Sequence, residues 1–213
     1  MRLILTTLIG LLILLVNEAW WRIKRPNDEI SRKAVHIILG CFVAFWPYYL
    51  SWLDIELLGV AVFISIYISK HVKYFSSHFK LFKGMRDVRR TTWGEFFFAI
   101  SVTLIALITH DKLIYTIAIL SMGLADGLAS IFGTYFGKRT NYKIFNSTKS
   151  LVGSLAFFIT MIILLSIYHT HASHPSNLLF LLVLALTATA LENISILGLD
   201  NLFVPLLIAV ALR

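Results

Sequence analysis

Long apolar runs broken by short basic stretches set the pattern of this chain. A helix needs roughly 20 apolar residues to cross the hydrocarbon core of a bilayer. On that measure the sequence predicts eight spans, at about 2–21, 33–50, 53–69, 94–110, 112–136, 149–168, 177–193 and 199–212. The last two are short, so the expectation is seven to eight. The fold class is therefore all-α, a polytopic membrane helix bundle, with residues 1–213 as a single integral-membrane domain. Soluble domains, low-complexity tracts and internal repeats are not evident. The first run follows Arg2 like a signal peptide, but Asn17-Glu18-Ala19-Trp20-Trp21 offers no small-residue cleavage pattern. The tryptophans read as an interfacial anchor instead.

Composition sharpens this picture. The chain is 58% hydrophobic and only 14% charged, with a mean hydropathy of +0.82. A soluble domain carries about 25% charge. The net charge of +8 would suggest nucleic acid on a soluble protein. Here the basic residues lie between spans, so topology accounts for them and no nucleic-acid partner is expected. Sixteen of the 19 Lys and Arg fall in the first, third and fifth loops. The positive-inside bias then makes those loops cytoplasmic and leaves both termini outside. The third loop, 70–93, places Val72, Phe75, Phe79 and Phe82 at helical spacing among lysines and serines. It reads either as an interfacial helix or as a basic linker drawn to anionic headgroups. The single cysteine, Cys41, excludes an intrachain disulfide and a cysteine-cluster zinc site.

Carboxylates in hydrocarbon cost several kcal/mol on insertion scales and usually mark function. Glu18, Glu95, Asp126 and Glu192 stand in or beside apolar runs, each near the cytoplasmic end of its span. Asp126 is about 14 residues in from the outer end, roughly two-thirds of the way across at 1.5 Å per residue. Asp200 and Asn201 open the last span from the same side. His36 lies one turn inside the second span, and Lys149 begins the sixth. Polar groups thus converge at one depth from at least five spans. Buried ion pairs that merely hold helices together are the alternative.

The stretch from 122 to 154 is the most informative. Asp126, Ser130, Gly133 and Gly137 share one helical face. Gly123 and Gly127 form a small-xxx-small pair that lets a neighbouring backbone approach. The basic loop 137–149 follows, with Lys138 and Arg139 at one end and Lys149-Ser150 at the other. A helix N-terminus with Lys149 and the Ser150 hydroxyl forms a phosphate cradle. Buried carboxylates beside a basic loop suit a nucleotide with a divalent ion, the acids holding Mg²⁺ and the bases facing phosphate oxygens.

Several motifs fail. Gly133 to Arg139 is not a P-loop: the glycines are one residue too close, and Arg139 stands where Ser or Thr must bind Mg²⁺. No G-x-G-x-x-G occurs. Asp126-Gly127 lacks the downstream aspartates of the CDP-alcohol phosphotransferases. His169, His171 and His174 crowd an outer loop, which reads as solvated rather than as a metal site.

The sequence resembles the dolichol kinase and phytol kinase family of CTP-dependent lipid kinases, which includes bacterial members of this size. The likeness rests on Ser31-Arg32-Lys33-Ala34-Val35-His36, on Ala125-Asp126-Gly127 through Gly133, Gly137 and Lys138, and on Lys149-Ser150-Leu151-Val152-Gly153-Ser154. Glu192 followed by Asp200-Asn201-Leu202-Phe203-Val204-Pro205 is the fourth segment, and Arg90 through Glu95 a looser fifth. Two positions depart from the family pattern: Ala125 stands where glycine is expected, and Val152 where an acidic residue is expected.

The resemblance implies transfer of the CTP γ-phosphate to the hydroxyl of a polyprenol-type, phytol-type or diacylglycerol lipid, at the cytoplasmic face of a bacterial inner membrane. In role terms it implies Asp126, Glu192 and Asp200 as Mg²⁺ ligands, with Asp126, His36 and Glu192 as the catalytic set. Arg32, Lys33, Gly133, Gly137, Lys138, Lys149, Ser150, Gly153 and Asn201 become the nucleotide-binding set. A cytidylyltransferase forming a CDP-lipid is the nearest rival, and an ion-coupled transporter the rival from another class.

Overall fold

A computed structural model describes residues 1–24, 28–71, 93–145, 147–173 and 176–213. Most of the basic loop 70–93 lies outside the described residues, as does His174. Nine α-helices are present among the described residues: α1 (Arg2–Lys24), α2 (Asp28–Ala44), α3 (Trp52–His71), α4 (Gly94–Ile108), α5 (Lys112–Leu120), α6 (Asp126–Phe136), α7 (Leu151–His171), α8 (Leu178–Ile194) and α9 (Asp200–Leu212). α5 and α6 are one continuous rod joined by a π turn, Ser121–Ala125. Helices satisfy every interior backbone group within the segment, which is what an apolar surround requires.

Four segments are long and apolar enough to cross a membrane: Arg2–Lys24, Ile30–Tyr48, Lys112–Phe136 and Leu151–His171. Gly94–Ile108, Leu178–Ile194 and Asp200–Leu212 are apolar but shorter. The described helices therefore support a helical membrane protein, without fixing eight full spans. The helix expected from 149 begins at Leu151, because Lys149 and Ser150 belong to a strand.

The α5–α6 rod forms the axis of the bundle. Ile114 through Ile119 are all buried, and α2, α7 and α9 pack against the rod. Small residues permit this. At the crossing of α2 with the π turn, a Cβ added to Gly40 would stand 2.6 Å from the Gly123 Cα, so only two glycines fit back to back. Gly127 takes the Ile37 side chain against its own Cα. Around this crossing Tyr115, Met122, Phe157, Met161 and Ile208 fill the core.

α9 carries Pro205 in its interior. Proline has no N–H, so the Asn201 carbonyl lacks its helical donor. Ser101 of α4 supplies one, its Oγ donating to Asn201 O at 2.6 Å. Asn201 Nδ2 donates in turn to Gly94 O at 3.1 Å. The preceding loop turns back through Gly198, whose φ of 90° is left-handed. A side chain there would also strike Gly94 at 2.6 Å, so glycine is required twice over.

The described residues between α6 and α7 form a short turn and two strands. Lys138–Thr140 make a 3₁₀ turn. Asn141–Ile144 (β1) and Ser147–Ser150 (β2) then pair antiparallel, with Tyr142 opposite Lys149. This small hairpin is an addition to an otherwise helical fold.

Candidate active site

Asp126 opens α6 directly after the π turn and is 5% exposed. π turns inside α-helices occur often at functional sites, where they re-aim side chains. Lys33, one turn into α2, approaches Asp126 with Nζ–Oδ2 at 2.6 Å. His36 lies one turn further, its Nε2 3.7 Å from the same oxygen and 3.2 Å from the Met122 carbonyl on the π turn. The His36 ring also meets Phe98 of α4 edge-on, with centroids 5.4 Å apart.

A second acid–base pair stands beside the first. Glu192, in the last turn of α8, is buried and accepts at Oε1 from Lys149 Nζ. Lys149 also donates to the Glu192 main-chain oxygen at 3.1 Å. The Glu192 Oε2 is buried with no partner. Burial works against charge on Lys149, but the Glu192 and Asp200 carboxylates outweigh it and raise its pKa. Asp200 opens α9, half-buried, its Oδ1 accepting from Asn201 N at 3.1 Å.

The three acids meet. One carboxylate oxygen from each of Asp126, Glu192 and Asp200 lies within 4.8 Å of the other two. Three ionised carboxylates against Lys33 and Lys149 leave one negative charge, counting His36 as neutral. An all-oxygen donor set with an unpartnered buried oxygen suits a hard divalent cation such as Mg²⁺. Lys33 and Lys149 are each bonded to one acid of this cluster.

Gly133, Gly137 and Gly153 shape the seat of Ser150. Ser150 caps α7, its Oγ accepting from Gly153 N at 3.1 Å. It sits in a notch formed by Gly133, Gly137 and Gly153, each of which would clash with it or with its surroundings if it gained a Cβ. In this state the helix N-terminus is closed by its own serine. Lys138 and Arg139 are exposed on the 3₁₀ turn, and Arg32 is half-buried next to Lys33. Asn201 is spent on the α4–α9 tie described above, with its Oδ1 buried and unpartnered. Glu18 pairs with Arg22 at 2.9 Å on α1.

Three residues of the site escape the sequence reading. Tyr142 Oη donates to Asn193 Oδ1 at 2.5 Å and shares a hydrogen bond with Ser154 Oγ at 2.6 Å. Ser154 Oγ also lies 2.8 Å from Asn193 Oδ1, so the two hydroxyl hydrogens are shared among the three oxygens. Tyr142 and Lys149 are cross-strand neighbours, so adjacent side chains of the hairpin grip adjacent residues of α8, Asn193 and Glu192. The position of Asn193 next to a buried acid is the one signal in the sequence that points to it.

The chain is similar to two curated proteins. One is the phytol kinase of Synechocystis sp., 28% identical over 203 residues, covering 91% of this chain and 82% of that protein. The other is the probable chloroplastic phytol kinase of Triticum aestivum, 29% identical over 198 residues, covering 84% of this chain. The match spans 65% of the wheat protein, slightly under two-thirds of its length. No family model matches the chain, and no solved structure does.

Proposed function

We propose that this chain is a lipid-alcohol kinase of the polyprenol and phytol kinase family, an assignment its two relatives support. In the finer reading it moves the γ-phosphate of CTP to the hydroxyl of a phytol-type or polyprenol-type lipid. The observation that carries this is the meeting of Asp126, Glu192 and Asp200 beside Lys33 and Lys149 at one end of an apolar bundle.

Phosphoryl transfer asks little covalent chemistry of a protein and depends on positioning and charge neutralisation. Asp126, Glu192 and Asp200 would hold Mg²⁺, which would supply positive charge against the phosphate groups. Lys33 and Lys149 turn their ammonium groups to the phosphates, with Arg32 and Lys138 adding positive charge from the rim. Ser150 and the glycines around it hold the hairpin and the start of α7 at the height of the acids. His36 donates Nε2–H to Met122 O, which leaves Nδ1 as the acceptor in the neutral ring. We assign Nδ1 the alcohol proton. The lipid O–Pγ bond forms, the bond from Pγ to the β-phosphate oxygen breaks, and CDP departs.

The lipid chain has a place to lie. A shallow, open apolar groove runs along α8 and α9, lined by Leu191, Phe203, Leu206, Leu207 and Val210. Leu191 precedes Glu192, and Phe203 stands one turn beyond Asp200. The sixteen basic residues of loops one, three and five argue for a cytoplasmic active face, in keeping with a bacterial inner membrane.

Purified protein supplied with a panel of prenyl alcohols and CTP labelled at either α or γ tests the reading. Label should enter lipid from the γ position alone. Label from the α position would make the protein a cytidylyltransferase, and solute uptake into vesicles without nucleotide would make it a transporter. Asp126→Asn should abolish turnover, by more than 100-fold on the scale of lost charge stabilisation, with membrane insertion retained. Near-normal turnover in that variant removes Asp126 from the site.

A further inference from the structure

The two lysines do more than wait for phosphate. Lys33 is bonded to Asp126 through a buried ion pair, and Lys149 to Glu192 through a partly buried one. These are two of the three acids whose oxygens lie within 4.8 Å of one another. Buried carboxylates cannot stand without counter-charge. In the state described, that charge comes from the protein itself.

We infer that Lys33 and Lys149 are resident counter-cations that oppose a divalent ion arriving alone and yield the acids to it only when phosphates arrive to take the lysines over. The inference rests on the kinase reading of the same site. The charge balance supports it. With both lysines in place, two of the three acids are already ion-paired, which weakens the field that a lone divalent ion would meet. An incoming triphosphate changes the balance, because it offers the two ammonium groups new acceptors of higher charge density. The unpartnered Glu192 Oε2 is the third element. It leaves one carboxylate oxygen of the cluster's acids without a hydrogen bond, so the exchange can begin without first breaking one. Metal and nucleotide would then bind with strong positive coupling, which by linkage is reciprocal.

The coupling predicts opposite signs that a purely structural role cannot produce. The probes are Mn²⁺ without nucleotide, followed by electron paramagnetic resonance, and CTP without metal, followed by equilibrium binding in EDTA. Both use full-length protein in phosphatidylcholine nanodiscs. Lys33→Met and Lys149→Met should each bind Mn²⁺ at least tenfold more tightly than the native chain. Each should bind CTP at least fivefold more weakly. Lys33→Arg keeps the charge and should return metal affinity to the native value. Two independent lysines guard against one variant failing to fold, which thermal unfolding would reveal.

Loss of both affinities together, or unchanged Mn²⁺ affinity in both folded variants, overturns the inference while leaving the kinase reading intact if the native protein still phosphorylates lipid. A native protein that binds neither Mn²⁺ nor CTP and makes no lipid phosphate overturns both.

Discussion

Tyr142 shows how much a single hydroxyl can hold. An isolated two-stranded hairpin is marginal at best in water. This one keeps its place because Tyr142 bonds Ser154 and Asn193 while its cross-strand neighbour Lys149 bonds Glu192. Tyr142→Phe keeps the ring and removes both bonds, a loss of about 1–2 kcal/mol. The expected result is a KM for nucleotide raised several-fold, with the KM for lipid unchanged. Steady-state kinetics over both substrates checks this, and equal shifts in both constants would count against a hairpin that positions Lys149. At this scale the sequence is uneven. Asp126 and Glu192 are legible because a charge inside an apolar run is costly and therefore conspicuous. Tyr142, Ser154 and Asn193 are not, because uncharged polar residues at helix ends are ordinary.

Among the elements, the α5–α6 rod decides where the site can form. Gly40 and Gly123 let α2 lie directly on the π turn, and that contact brings Lys33 and His36 to Asp126. Without a hydrophobic drive between helices in lipid, close packing is what holds such a crossing together. Gly123→Ala should push α2 outward, with an overpacking cost of about 1–3 kcal/mol. Turnover should fall at least tenfold, while circular dichroism shows helix content unchanged. Retained turnover would mean that α2 can recede without carrying its cations away. The small-residue spacing at Gly123 and Gly127 is readable from sequence, but its partner Gly40 is not, since nothing local pairs residues so far apart. The hairpin is also hidden, because four-residue strands of polar residues carry no usable periodicity. The left-handed turn at Gly198 is likewise fixed by a neighbour, Gly94, that the sequence does not place beside it.

For the whole molecule, the acids and their lysines gather at one end of a bundle whose described helices expose many large apolar side chains. The groove along α8 and α9 includes Leu191, which precedes Glu192, and Phe203, one turn beyond Asp200. Leu207→Trp would fill it without touching an acid or a lysine. The expected outcome is a higher KM for a long prenyl alcohol and little change for a short soluble one, with nucleotide KM constant. Equal effects on both alcohols would move the lipid chain elsewhere. The helical class and the membrane setting follow from composition and the length of apolar runs. How many helices cross fully does not, because α4, α8 and α9 are shorter than a bilayer demands.

The order of the two ion pairs along the chain bears on how such a protein is made. Lys33 precedes Asp126, and Lys149 precedes Glu192. A chain emerging from the ribosome therefore has each base in hand before the acid that needs it. The first half can enter the bilayer with its acid already partnered, and the second pair closes only when α8 is delivered. A nascent chain arrested before α8 would carry Asp126 with its counter-charge in place but lack Glu192 and Asp200, so the acid cluster is complete only once α8 and α9 have been delivered.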